Sequence, residues 1–229
     1  MSATVADKRT RLTREQVLAA GVELADAVGI DGVTMRKLGQ ALCVEAMSLY
    51  HHVANKEQLL DGMTDLVYTE IQLPQDTDWR TAMLARAHSL RDTLNRHPWA
   101  LRLVGSRTSP GDATVRHHDA VLGTLRRAGF PLALAAHAFS VLDAYIYGFA
   151  VQEQALPFDS EEAPTELATA ILAQFPTNQY PYLAELTARY AEDTGYAYVQ
   201  EFAFGLDLIL DGLERALAVG APPYTPARE

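Results

Sequence analysis

The sequence predicts an all-α protein: an N-terminal three-helix domain containing a helix-turn-helix, followed by a larger helical C-terminal domain. Three observations lead there. Apolar residues recur three and four apart in every long segment, the period of one helix face. No segment alternates apolar and polar residues between Gly or Asn turns, as a half-buried strand would. The run Pro-Gln-Asp-Thr-Asp at 74–78 is the clearest break in the chain, so domains are expected at 1–56 (with 1–12 as an arm) and 74–229, joined by a connecting helix at 57–73.

The first helix is expected from about Arg14 to Val28, with Thr13 and Gln16 as a capping pair and Val17, Gly21, Leu24, Ala25 and Val28 on one stripe. Gly29 ends it, and Ile30 to Gly32 turn the chain. Thr34 then caps a short helix whose apolar residues are Leu38, Ala41 and Leu42. Cys43, Val44 and Glu45 make a bend. The next helix turns Val44, Leu49 and Val53 inward and leaves Ala46, Met47, Ser48, Tyr50 and His52 facing out. Asn55 and Gln58 form a capping pattern that opens a long helix from Lys56 to about Leu73, stopped by Pro74. The free amides at its start, beside Lys56, suit a phosphate.

A helix-turn-helix sends its second helix into the DNA major groove, where short polar and aromatic groups reach base edges and phosphates. Ser48, Tyr50 and His52 meet that need, although an ordinary helical corner with solvated polar residues has the same spacing. The sequence carries more than spacing. Its run Val28 to Leu42, V-G-I-D-G-V-T-M-R-K-L-G-Q-A-L, and Ser48 to Asp61, S-L-Y-H-H-V-A-N-K-E-Q-L-L-D, closely resembles the DNA-binding domain of TetR-family repressors, the tetracycline-repressor type above all. The resemblance implies that Thr34, Arg36 and Glu45 border the groove, with Arg36 at its edge. It places Ala46 and Met47 where the family has its main base-reading pair, and Ser48, Tyr50, His52 and Lys56 on phosphates. Two departures matter. Ala46 and Met47 cannot make the hydrogen bonds of a glutamine, so the operator is expected to differ from the tetracycline one. Cys43 stands where the turn usually has Gly, the residue that takes positive φ freely.

The chain has 229 residues, 48% hydrophobic and 21% charged, with one cysteine and therefore no internal disulfide. No apolar run is expected to approach the roughly 18 residues of a membrane helix, and no apolar export segment opens the chain. The expectation is a cytoplasmic protein without a membrane partner. A net charge of −10 argues at first against nucleic acid, whose binding rests on phosphate neutralisation. Distribution answers that: residues 1–56 carry seven Lys and Arg against six Asp and Glu, whereas 57–229 carry twelve against twenty-three. Lys8, Arg9, Arg11 and Arg14 concentrate basic character at the start, as a solvated terminus or a DNA-contacting arm.

Beyond the break, helices are expected at Trp79–Arg96, Trp99–Val104, Ala113–Ala128, Leu132–Gln154, Glu166–Phe175, Tyr182–Asp193 and Tyr196–Val219. The helices near 132–154 and 196–219 are apolar nearly all round, so one side faces the core and the other suits a second subunit, or else both belong to one intramolecular core. Pairing two chains would supply the two reading heads that a palindromic double-stranded DNA operator requires. Trp79, Ser89-Leu90-Arg91, Gly105-Ser106-Arg107, Gly129-Phe130 and Phe204 to Leu213 resemble the family's C-terminal ligand-binding and dimerisation domain, which implies a small-molecule effector whose binding splays the reading heads. Gln72, Leu103 and Gln152 stand roughly where a His, a His and a Glu would hold magnesium, so the expectation is a different ligand, no metal and no cofactor. Candidate pocket walls are Leu66, Met83, Trp99, Leu103, Phe139, Tyr145 and Phe149. Arg86, Arg107, His137 and Gln152 are candidates to orient a polar group.

Enzymatic constellations are missing: there is no G-x-S-x-G, no phosphate-binding G-x-x-x-x-G-K-[ST] and no H-E-x-x-H. His51-His52 and His117-His118 are sequence neighbours and point to different helix faces. The reading is a ligand-released transcriptional regulator, not an enzyme. A helical small-molecule-binding or sequestering protein without specific DNA reading is the alternative.

Overall fold

The computed structural model describes residues 12–73, 78–104, 110–155, 178–192 and 199–220, together with 170 and 174. Their ordered elements are all helical. They are α1 (Arg14–Val28), a 3₁₀ turn (Ile30–Gly32), α2 (Met35–Ala41), α3 (Ala46–Leu49), α4 (Lys56–Tyr68), α5 (Trp79–Arg96), a second 3₁₀ turn (Pro98–Arg102), α6 (Asp112–Arg127), α7 (Leu132–Gln154), α8 (Pro181–Glu192) and α9 (Val199–Val219). Contacts divide the chain into two units, Met1–Phe139 and Ser140–Glu229, and the seam falls inside α7.

In the first unit α1 begins at the expected capping box: the Gln16 amide donates to Thr13 Oγ1 at 3.2 Å and the Thr13 amide to Gln16 Oε1 at 3.0 Å. Its buried face is Val17, Leu18, Gly21, Val22 and Ala25. Leu18 and Val22 therefore replace the expected Leu24 and Val28, the latter 49% exposed. The reason is the partner. α1 packs on α4 so closely that a Cβ on Gly62 would lie 2.6 Å from the Leu18 side chain, a contact that keeps Leu18 in the buried face. Leu59 and Met63 of α4 are fully buried in this core, each contributing on the order of 1.5–3 kcal/mol over exposure.

α4 ends at Tyr68, short of the expected Leu73. The Thr69 hydroxyl donates to the Leu66 carbonyl at 2.6 Å, and the next amides bond three residues back, from Glu70 to Val67 and Ile71 to Tyr68. A side chain that takes a helix carbonyl and a tightened last turn end the helix before Pro74 is reached. Asp78 caps α5 through the Thr81 amide. The helix expected at 99–104 is a 3₁₀ turn at 98–102, opened by Pro98 at a position where no amide is needed. The start of α6 is capped from α4: Asp65 accepts the amides of Ala113 at 3.2 Å and Thr114 at 2.8 Å, and the Thr114 hydroxyl at 3.0 Å.

In the second unit the Tyr145 hydroxyl of α7 donates to the carbonyls of Glu201 at 3.1 Å and Phe202 at 3.0 Å on α9. The Tyr145 ring stacks on Phe202, and Phe149 meets Phe202 edge-on. Leu142, Ile146, Leu206 and Leu210 are fully buried. α8 starts one residue before the expected helix and is described to Glu192, and α9 is described from Val199. The helix expected at 166–175 lies almost wholly outside the described residues. Contrary to the sequence expectation, α7 is long and apolar enough to cross a membrane by length and composition, alone in this among the described residues.

Candidate functional site

Two short helices, the first of them capped, build one exposed head. Thr34 Oγ1 accepts the Lys37 amide at 3.2 Å, which fixes the start of α2 and leaves Arg36 and Lys37 exposed. Gly39 lets α3 cross beneath it, since a Cβ there would sit 2.8 Å from the Val44 carbonyl oxygen. The α-helical part of the second helix is only Ala46–Leu49, but the winding continues in tighter turns, with amides of Tyr50, His51 and His52 bonding three residues back. Leu49 and Val53 are buried as expected, and Val44 is half-buried. Met47 is 74% exposed and Tyr50 44%, while Ala46, Ser48 and His52 are half-buried. Glu45 is exposed at the start of α3 and makes no side-chain cap; its carbonyl accepts the Ser48 hydroxyl at 2.7 Å. The α4 cap is the expected one on one side only: Asn55 Oδ1 accepts the Gln58 amide, but Gln58 Oε1 accepts from Ala54. Lys56 stands exposed at that helix start.

Cys43 holds φ at 54°, the only positive value at a non-glycine among the described residues. Its Cβ is crowded there, at a cost of roughly 1–2 kcal/mol, and glycine would give back part of the gain as unfolded-chain entropy. Cys43→Gly is expected to stabilise the protein by about 0.5–1 kcal/mol, read as a higher urea midpoint at unchanged slope. A lower midpoint would show that the turn carries no such strain.

A polar latch ties this head to α5 and the 3₁₀ turn after it. Asp26 at the end of α1 accepts the Trp99 indole N–H at 2.6 Å and lies 2.8 Å from His97 Nδ1. His97 Nε2 lies 3.2 Å from Glu70, which also receives Arg96 at 2.8 Å. Burial pushes the Glu70 carboxyl up, but the hydrogen bonds from Arg96 and His97 outweigh it and hold the group below its usual range. Arg102 meets Asp31 on the surface at 2.8 Å.

Of the expected pocket residues, Arg86 and Phe139 come together in the first unit, and Met83 is buried one turn before Arg86 on α5. Arg86, 1% exposed, donates from Nε to His117 Nε2 at 3.0 Å, and its guanidinium lies 5.9 Å from the centre of the Phe139 ring. His118 meets Phe139 edge-on, and Tyr68 meets both histidines. Burial pushes the His117 imidazole down to about 3, helped by the charges of Arg86 and His118, so it stays neutral. Trp99 is buried on the latch, and Leu103 is half-buried. Tyr145 and Phe149 belong to the aromatic group of the second unit, while His137 and Gln152 are exposed on α7. Arg107 lies outside the described residues. Leu66 lines a separate cleft of about 460 Å³ between α1, α4 and Gly111, among Arg14, Glu15, Asp61 and Asp65. No group of three His, Cys, Asp or Glu residues able to hold a metal occurs among the described residues.

With this geometry in view, comparison with known proteins decides the family. Residues 17–63 match "Bacterial regulatory proteins, tetR family", and residues 73–217 match "Tetracyclin repressor-like, C-terminal domain". The chain belongs to the TetR family of transcriptional regulators. It is 34% identical to the HTH-type transcriptional repressor DrrR1 of Streptomyces coeruleorubidus, over 90% of this chain and 79% of that one. It is 30% identical to the class A tetracycline repressor from transposon 1721 of Escherichia coli, over 90% and 92%. Among solved structures, apo ActR of Streptomyces coelicolor superposes with a TM-score of 0.76 at 25% identity, covering 92% of this chain and 98% of ActR.

For this TetR-family chain, sequence reasoning placed the helices of the head and missed the latch and the histidines. Asp26, Glu70 and His97 are far apart in sequence and carry no motif. His117 was visible only as half of a His-His pair judged against metal binding, and the two rings, with centroids 6.2 Å apart, share an aromatic cluster instead.

Proposed function

We propose that this TetR-family regulator is a homodimeric repressor that holds a pseudo-palindromic double-stranded DNA operator and lets it go when a small molecule binds its C-terminal domain. The observation that carries the reading is the head itself. Thr34, Arg36, Glu45, Met47, Tyr50 and Lys56 are all exposed around a closed core, and the helices on either side of α3 are fixed by the Thr34 and Asn55 caps. Arg36, Ser48, Tyr50, His52 and Lys56 would take phosphates or the groove edge, and two heads about 34–36 Å apart would meet successive major grooves. Ala46 and Met47 present methyl and thioether surface, which suits thymine methyl groups better than a donor–acceptor base edge. Solved relatives support both halves of the reading. The structure of Mycobacterium smegmatis BioQ matches at 25% identity, and so does a BioQ structure with its operator DNA. ActR has been solved with actinorhodin bound.

The second subunit would dock on α7 and α9, where Val141, Val151, Phe204 and Leu208 leave apolar surface exposed. The effector site is proposed in the first unit, at the buried Arg86 and the Phe139 ring beside it, with Met83 one helical turn before Arg86, and without a metal. Release is a population shift, and typical coupling is about 1–3 kcal/mol. The routes available to it are the Asp65 cap on α6 and the Asp26–His97–Glu70 latch, both of which join effector-side helices to the head.

Tyr50→Ala is expected to weaken operator binding about tenfold, the worth of one hydrogen bond to a charged group, without changing the dimer. A gel-shift titration on the DNA flanking the protein's own gene, repeated across salt concentrations, reads both affinity and the slope set by phosphate contacts. Unchanged affinity in the variant removes Tyr50 from the interface. Indifference of the parent protein to that DNA removes the repressor reading.

A further inference from the structure

The reading of an effector-released regulator leaves the effector's chemistry open, and the cluster between α4, α5, α6 and the first turns of α7 narrows it. Arg86 is a fixed cation, 1% exposed, and its Nε–H can only donate. The atom it reaches, His117 Nε2 at 3.0 Å, must therefore be the accepting nitrogen of a neutral imidazole, and the proton sits on Nδ1. His117 is fully buried, and its Nδ1 has no hydrogen-bond partner among the described residues. A buried N–H without an acceptor is rare, because its desolvation is not repaid. The influences acting on that imidazole are burial and the positive charges of Arg86 and His118, with no negative group among them. Around the pair stand flat faces: Tyr68, His118 and Phe139 meet edge to face at 5–6 Å.

From this we infer that the effector is an aromatic organic acid, its ionised oxygen accepting the His117 Nδ1–H beside the Arg86 charge and its ring lying among Tyr68, His118 and Phe139. This rests on the regulator reading above and deepens it. A carboxylate suits the site on two counts: it supplies the missing acceptor, and it brings a negative charge next to a cation where water is excluded. A neutral amide of the same shape offers an acceptor and no charge.

The test uses the full chain and two matched probe pairs, naphthalene-2-carboxylate with its primary amide and anthracene-2-carboxylate with its primary amide, titrated by calorimetry. The expected result is that at least one acid binds tenfold or more tightly than its amide. Arg86→Met should remove that preference, and His117→Gln should reduce it less. The preference in the unaltered protein needs no variant, so a misfolded Arg86→Met does not rescue the idea. If neither acid binds, or acid and amide bind alike, the inference is overturned. Operator retention is measured in the same samples. An acid that binds selectively but does not free the DNA supports the site and overturns release by this ligand. A protein that ignores DNA before any acid is added overturns the regulator reading alone.

Discussion

Leu208→Glu is expected to leave a folded single chain that holds operator DNA about 10²-fold or more weakly than the parent. Leu208 is 55% exposed and Phe204, one helical turn before it, 65%. On the opposite side of the same helix Phe202, Leu206 and Leu210 are fully buried, so the unit's own core is closed without the exposed residues. A helix in water has little reason to keep such a stripe unless another surface covers it. A carboxylate in its middle would have to be desolvated on pairing, at a cost of several kcal/mol per ion. With the pair gone, the second head is no longer delivered at the millimolar effective concentration that linkage provides, and avidity on the order of 10²–10⁴ disappears with it. Sedimentation equilibrium at micromolar protein and a gel shift on the same sample check both parts. A variant that remains dimeric and binds as before would place the interface elsewhere.

Acid should weaken the fold through His117, and by more than surface histidines could. The buried imidazole resists protonation down to about 3, whereas in the unfolded chain it takes a proton near 6.5. Above 6.5 both states are neutral and nothing is at stake. Below it the unfolded state gains a proton that the folded state refuses, so stability is lost as pH falls from 6.5 toward 3. One proton is worth about 1.4 kcal/mol per pH unit, so lowering the pH from 7 to 5 should cost on the order of 2 kcal/mol. Urea titrations at the two values measure the loss, and His117→Gln should remove that share of it. A parent and variant that lose stability equally over this interval would mean that His117 is accessible to protons in the native state.

Much of the head was legible in the sequence because its determinants are local. Thr13 with Gln16, Thr34 and Asn55 each act within three or four residues, and three of the expected helix boundaries, those of α1, α5 and α7, fall where caps and breakers place them. Cys43 is a second local case: a residue standing where glycine is usual announces its own φ of 54°. Errors appear where a partner element intervenes. Val28 lies on the helical stripe but faces water, because Gly62 and Leu18 set how α1 sits on α4. α4 stops at Tyr68 because Thr69 takes the Leu66 carbonyl, a competition that apolar periodicity does not register.

What the sequence by itself determined is the helical class, the caps that start α1, α2 and α4, and the family, since each arises from near neighbours in the chain. Only the tertiary structure brought Asp26 to His97 and Trp99, Asp65 to the start of α6, and Arg86 to His117. Those pairs are separated by 31 to 73 positions, and no local rule names them. They form because a buried polar group must find a partner wherever packing leaves one, and packing is a property of the whole fold.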